Sequence, residues 1–281
     1  MNRKMPLILF LMFFSAFIQA IPPRDLTLLK KAISNGQVKT VEALITKRNI
    51  PVDAKDEELW TPLLHAVKAG QKAVVKKLLE LGATADYGVH SFIRVRENGK
   101  VKEQIYIFGL ERDKPAPSIE PAMHLAARKG DLQLVDLLRE ESIYGLNVFD
   151  ADRVTPLMIA AEKRNLDFVK GLLDRGALQT EEDSKESVAL HYAAYNTTVD
   201  GLKIIELLAK KTPLDIPNRF ERTPLMEAAS RNNHTAVKKL LELGANPDIK
   251  TRHGLTALKI AERRQFPESA KIIKEYLGKK G

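Results

Sequence analysis

Thr61-Pro62-Leu63-Leu64-His65-Ala66-Val67 recurs as Thr155-Pro156-Leu157-Met158-Ile159-Ala160-Ala161 and again as Thr223-Pro224-Leu225-Met226-Glu227-Ala228-Ala229. Looser copies are Pro121-Ala122-Met123-His124-Leu125-Ala126-Ala127, Val188-Ala189-Leu190-His191-Tyr192-Ala193-Ala194 and Thr256-Ala257-Leu258-Lys259-Ile260-Ala261. A degenerate first copy starts at Thr27, with Ala32 and Gly36 at the matching offsets. The starts at 27, 61, 121, 155, 188, 223 and 256 are separated by 34, 60, 34, 33, 35 and 33 residues. A fixed period of this size marks a stack of small units, each burying its face against the next. The one long interval holds an insertion of about 26–27 residues.

Each position of the heptapeptide has a physical reason. Thr is a helix N-cap whose hydroxyl accepts a backbone N–H, and Pro next to it loses nothing because its N–H would be unpaired there. Leu fills the core, and the Ala pair lets neighbouring inner helices approach closely. Gly36, Gly70 and Gly130 stand where a left-handed residue ends an inner helix; Arg164, Thr197, Asn232 and Gln265 take that place in other units. Outer helices follow with apolar 3–4 spacing, as in Val74-Val75-Lys76-Lys77-Leu78-Leu79 and Val237-Lys238-Lys239-Leu240-Leu241. Gly82-Ala83, Gly176-Ala177 and Gly244-Ala245 begin the connecting loops. The unit starting at Val188 carries about three extra residues around Asp200-Gly201.

Over residues 25–278 the chain resembles the ankyrin-repeat family, whose unit is about 33 residues with a Thr-Pro-Leu-His-x-Ala signature. The resemblance implies an all-α solenoid of about seven helix–turn–helix repeats that binds protein partners and does not catalyse. His124 and His191 fall on the signature His, where the imidazole ties a loop to a helix; His65 lies one place later.

The insertion, residues 87–120, interrupts the second unit's exit. Ser91-Phe92-Ile93-Arg94-Val95-Arg96 and Val101-Lys102-Glu103-Gln104-Ile105-Tyr106-Ile107-Phe108 flank Asn98-Gly99. Asn-Gly between two β-rich runs predicts a hairpin, since both turn residues need positive φ. The turn sets Glu97 opposite Lys100 and Arg94 opposite Glu103, two opposite-charge pairs that support the register. An isolated hairpin is marginal in water, so it leans on a partner as a projecting finger or folds back on its own repeats. Glu111 to Pro117 reads as a stiff return.

In proteins similar to this one, partners meet the inner-helix face and the loop tips. The inner-helix positions after the Ala pair here give a basic stripe of Lys68, Arg128, Lys129, Lys163, Arg231, Arg263 and Arg264, with Tyr195 among them and Glu162 interrupting it. The finger and tips offer Phe92, Ile93, Arg94, Arg96, Tyr106, Arg219 and Phe220. The expected partner is a protein with an acidic surface; the alternative is ordinary solvation of a polar face. Trp60, immediately before Thr61, reads as packing between loops, and Glu181-Glu182-Asp183 as a solvated loop.

Arg3, Lys4 and the apolar run Leu7–Ile18, followed by Ala20, read as a signal peptide over residues 1–20, with 21–281 as the repeat domain. The run is too short to cross a bilayer comfortably, and an uncleaved anchor is the other reading. The expected location is therefore the periplasm or outside the cell, with no membrane span after signal removal. The net charge is +9, and losing Arg3 and Lys4 leaves +7, a balance that favours acidic partners. The absence of cysteine excludes disulfides, thiolate metal sites and a Cys nucleophile. No metal or other cofactor is expected, because the histidines sit in different repeats without carboxylates at ligand spacing. Nucleic acid is not an expected partner, since the stripe lacks interleaved aromatics apart from Tyr195. A monomeric binding scaffold follows, with an inhibitor or immunity protein for a secreted enzyme or toxin as its narrower form. A host-directed effector and an envelope stress-protective factor are the alternatives.

Overall fold

The computed structural model describes residues 22–86, 90–97, 100–107, 120–195 and 198–280, the strand residues and Lys280 by backbone alone. The expected signal peptide, the Asn98-Gly99 turn, the 111–117 return and Thr197 lie outside the described residues.

Among the described residues the helices come in consecutive pairs, an inner helix followed by an outer one. They are α1 Pro23–Ser34 and α2 Val38–Lys47, α3 Pro62–Ala69 and α4 Lys72–Glu80, α5 Ala122–Lys129 and α6 Leu132–Glu141, α7 Pro156–Lys163 and α8 Leu166–Asp174. The series continues with α9 Ala189–Ala193 and α10 Val199–Leu208, α11 Pro224–Ser230 and α12 His234–Glu242, α13 Ala257–Arg263 and α14 Pro267–Lys280. Each inner helix packs on the next inner helix, and each outer helix on the next outer one. This stacked all-α core is continuous. Leu63, Leu157 and Leu225 of the heptapeptide are 1%, 1% and 0% exposed, and each such burial stabilises the stack by about 1.5–3 kcal/mol.

The helix starts follow the capping chemistry. The hydroxyls of Thr61, Thr155, Thr223 and Thr256 accept the amides of Leu64, Met158, Met226 and Lys259 at 3.4, 3.3, 3.3 and 3.2 Å. The first helix departs from the pattern: it begins at Pro23, four residues before Thr27, and the Thr27 hydroxyl bonds back to the Pro23 carbonyl at 2.8 Å inside the helix. Pro23 at the first helical position, where its missing N–H costs nothing, starts α1 there instead of at Thr27. At the other end of the inner helices, Gly70 and Gly130 are left-handed at φ 75 and 68, and Arg164, Asn232 and Gln265 adopt the same conformation at φ 65, 55 and 59. The turn into the outer helix therefore demands this geometry whether or not glycine supplies it.

A second tie joins one loop to the next. Asp53, Asn147 and Asp215 each accept the amide of a residue 31 positions on, Thr84, Leu178 and Asn246, at 3.0, 2.9 and 3.0 Å. Asp86 makes the same bond to the Ile143 amide at 2.7 Å, but 57 positions on. The excess of 26 is the insertion, which leaves the repeat-to-repeat tie intact. Within the insertion, strands β1 His90–Glu97 and β2 Lys100–Ile107 pair antiparallel, with Arg94 opposite Glu103 and Glu97 opposite Lys100.

Candidate functional site

The tips between repeats are built from one polar residue placed five positions before the heptapeptide, as at Asp56, Asp150, Asp183, Asn218 and Thr251. Asp150 accepts the amides of Asp152 and Val154 at 3.0 and 2.9 Å. Asp183 accepts those of Lys185 and Ser187 at 2.8 and 2.7 Å, and Asn218 those of Phe220 and Arg222 at 3.0 and 3.1 Å. Each closes a local loop that presents the residues between. The tips then link to each other: the Ser184 amide donates to the Asp152 carbonyl and the Arg219 amide to the Lys185 carbonyl, both at 2.8 Å. From below, His124 Nε2 donates to the Val154 carbonyl at 2.7 Å and His191 Nε2 to the Arg222 carbonyl at 3.1 Å. Burial holds both imidazoles below the usual histidine range, so both are neutral struts of the scaffold.

His65, one place out of register, works differently. Its Nε2 meets Asp56 at 2.8 Å, and the Lys30 ammonium reaches the same carboxylate oxygen at 2.5 Å. Burial raises the Asp56 pKa, but Lys30, the Trp60 amide and His65 outweigh it and hold the carboxyl at about 2. Asp56 is thus the ionised hub of the first tip, also accepting the Glu58 and Trp60 amides at 3.0 and 2.9 Å.

One sequence expectation needs correction here. Asp183 is not part of a solvated loop: it is 5% exposed and takes the Tyr192 hydroxyl at 2.7 Å besides its two amides. Trp60 is partly buried against the core, its ring 5.4 Å from that of His65, with the Lys68 ammonium 4.5 Å from its centroid.

The stripe residues Lys68, Arg128, Lys129, Lys163, Arg231, Arg263 and Arg264 are all exposed, on successive inner helices or at their ends. Their electrostatic situations differ. Arg128 is ion-paired to Glu120, so its charge is spent within the chain. Lys68 lies on Trp60, and the Arg231 guanidinium sits 3.6 Å from the centroid of half-buried Tyr195. Tyr195 in turn packs on Tyr192, ring centroids 5.8 Å apart. Among the described residues no carboxylate pairs with Lys68 or Arg231. At the tips Arg219 is exposed and Phe220 is 57% exposed. The side chains of Phe92, Ile93, Arg94, Arg96 and Tyr106 lie outside the described residues. Among the described residues no group of three His, Asp or Glu side chains is placed to hold a metal ion, and no helix is long and apolar enough to cross a membrane.

The family model for ankyrin repeats matches residues 3–89, 96–183, 123–217 and 190–280. The chain belongs to the ankyrin-repeat family. Its fold is that of the human ASB11 ankyrin repeat domain, with a TM-score of 0.64 at 19% identity over 88% of this chain and 96% of that one. Among curated proteins, this ankyrin-repeat chain is 24% identical over 238 residues to the phosphocholine transferase AnkX of Legionella pneumophila, covering 84% of this chain and 25% of that protein. It is 29% identical over 209 residues to human inversin, covering 73% of this chain and 17% of inversin. The chain therefore spans about a quarter or less of these relatives' length, and AnkX's activity belongs to AnkX. Ankyrin-repeat domains are in general protein-interaction modules without catalysis, which fits a surface of rigid tips and exposed inner-helix ends.

The hub at Asp56 and the Tyr192–Tyr195–Arg231 stack escaped the sequence reading. One signal for the former was present: an Asp, Asn or Thr five residues before the heptapeptide at Asp56, Asp150, Asp183, Asn218 and Thr251.

Proposed function

We propose that this protein is an exported binding scaffold whose seven helix pairs and inserted hairpin hold one protein partner with an acidic surface. It acts as a monomer in the periplasm or outside the cell, without a cofactor and without catalysis. The observation that carries this reading is the exposed cationic row on successive inner helices, in which, among the described residues, Arg128 alone is ion-paired. A rigid row of like charge speeds encounter with an acidic partner and selects against basic ones. Loops on a rigid scaffold carry contacts disproportionately, and the hairpin lies in the sequence between the second and third helix pairs. It is read as a finger on the partner. The narrower role is an inhibitor or immunity protein that caps a secreted enzyme or toxin.

The apolar run before Ile21-Pro22 supports export. A second reading, a host-directed effector, draws on the similarity to a protein of the bacterium Legionella pneumophila. The test is capture from extracts of the source organism by residues 21–281, beside a version lacking residues 90–108. Capture of one secreted or envelope protein, lost on deletion, supports the scaffold with its finger. Capture that survives deletion removes the finger from the interface. A partner found only in extracts of another organism favours the effector.

A further inference from the structure

We infer that carboxylates of an acidic protein segment are read chiefly at two aromatic-backed cations, Arg231 on Tyr195 and Lys68 on Trp60; this rests on the docking-surface reading above. The stripe is uneven in a way that its sequence does not reveal. Arg128 is neutralised by Glu120, and Lys129, Lys163, Arg263 and Arg264 are exposed, so ordering their long side chains on binding forfeits rotamer freedom. Lys68 and Arg231 have their stems ordered in advance by the ring beneath. A cation on an aromatic face keeps its charge and its donors while losing water from one side, and the planar fork of Arg231 in addition suits a carboxylate. Tyr195 is further fixed against Tyr192, whose hydroxyl is anchored by buried Asp183. On the other side, Trp60 is held by His65 and by its own amide bond to Asp56. Both stacks are therefore supported by a buried carboxylate at the base of a tip.

The two stacks stand four inner-helix steps apart, α3 to α11. At about 8–10 Å a step that is about 30–40 Å, the reach of an extended segment of about ten to twelve residues. Trp60 is the only tryptophan, so its emission reports occupancy of the first stack.

The experiment uses the full chain, expressed with its own N-terminal segment, and a synthetic Glu-rich peptide of about 16 residues, long enough to bridge both stacks. Binding is measured by calorimetry and by Trp60 emission at low ionic strength. Arg231→Ala is expected to weaken binding about tenfold and Tyr195→Leu about threefold. Tyr195→Phe, which keeps the ring, should bind as the native chain does, and Lys129→Ala should cost under about twofold. Equal losses at Lys129→Ala and Arg231→Ala, or native affinity in Tyr195→Leu, would overturn the inference and leave the acidic-partner reading standing. No peptide binding at all would overturn that reading itself. Tighter, Tyr195-dependent binding of a single-stranded oligonucleotide of equal charge would reassign the stacks to nucleic acid and overturn both.

Discussion

His191 Nδ1 accepts the backbone N–H of Val188 at 3.2 Å. In the third helix pair the same place is held by Pro121, which has no N–H, and the fully buried Nδ1 of His124 has no hydrogen-bond partner among the described residues. Both histidines donate from Nε2 to the following tip, so both need an acceptor role filled at Nδ1. Val188 fills it for one repeat, and the proline that restarts the helix after the insertion withholds it from the other. An unmade hydrogen bond at a buried nitrogen costs about 1–3 kcal/mol.

Pro121→Thr is therefore expected to stabilise the protein. The new amide can donate to His124 Nδ1, and the hydroxyl can cap the His124 amide as Thr61 caps Leu64. Part of the gain is offset by the freedom that proline removes from the unfolded chain, leaving about 1 kcal/mol. Urea unfolding checks it: a midpoint at or below that of the native chain contradicts the hydrogen-bond argument.

Gln265 is an exposed left-handed residue at φ 59. Gln265→Gly relieves that backbone and should raise stability by about 1 kcal/mol. Asn232→Gly, at φ 55, should give less, because Asn tolerates this region better than Gln. The reverse change, Gly130→Ala, should destabilise the protein, since the new methyl would come within 2.4 Å of the Asn165 amide nitrogen at φ 68. Thermal unfolding of the three variants should rank in that order.

The pH dependence has a definite sign. Burial lowers the folded-state pKa of His124 and His191, so the unfolded chain binds protons that the folded chain refuses. Their contribution is fully present above the unfolded value of about 6.5 and is lost as pH falls below it. Denaturant midpoints should be flat on the alkaline side of that value and fall on the acid side. A midpoint that rises on mild acidification would contradict two neutral buried imidazoles.

Asp56 adds a second, more acidic window. Its carboxyl is held at about 2 against an ordinary 3.8, so its contribution is present above 3.8 and disappears as pH falls through 2. The side chain is 1% exposed, and the shift corresponds to on the order of 2 kcal/mol. Asp56→Asn keeps the acceptor for the Glu58 and Trp60 amides but drops the charge facing Lys30 and His65. It should lose about that much at neutral pH and show a smaller acid-induced loss. Equal acid sensitivity in native and variant chains would remove Asp56 as the hub.

Much of the fold was legible because its rules are local. Thr followed by Pro caps a helix wherever it stands, and Leu and the Ala pair repeat with the stacking period, so the units could be located from single residues. The positive-φ sites at Arg164, Asn232 and Gln265 were legible only by analogy with the glycines in the same place. What escaped depends on neighbours in space. Asp183 looked like one of three acidic loop residues until the Tyr192 hydroxyl was seen above it, and the sequence did not show that Lys68 lies on the Trp60 ring. Thr27 misled for the opposite reason: it matched the offset of a cap, but Pro22-Pro23 starts the helix four residues earlier. In the site, the exposed row was readable as charge. Its division into a paired Arg128, stacked Lys68 and Arg231, and the remaining unstacked cations was not, because Glu120, Trp60 and Tyr195 reach it from outside the inner helices.

The most direct measurement is capture of the native partner by the wild-type chain and by Lys129→Glu/Lys163→Glu/Arg263→Glu, each at low and at high ionic strength. These side chains are exposed, so the triple variant should unfold like the native chain. An acidic partner on the inner-helix face predicts capture that weakens with salt in the native chain and is lost in the variant at low salt. Undiminished capture by the variant, with no dependence on salt, would contradict the claim that this basic row is the docking surface.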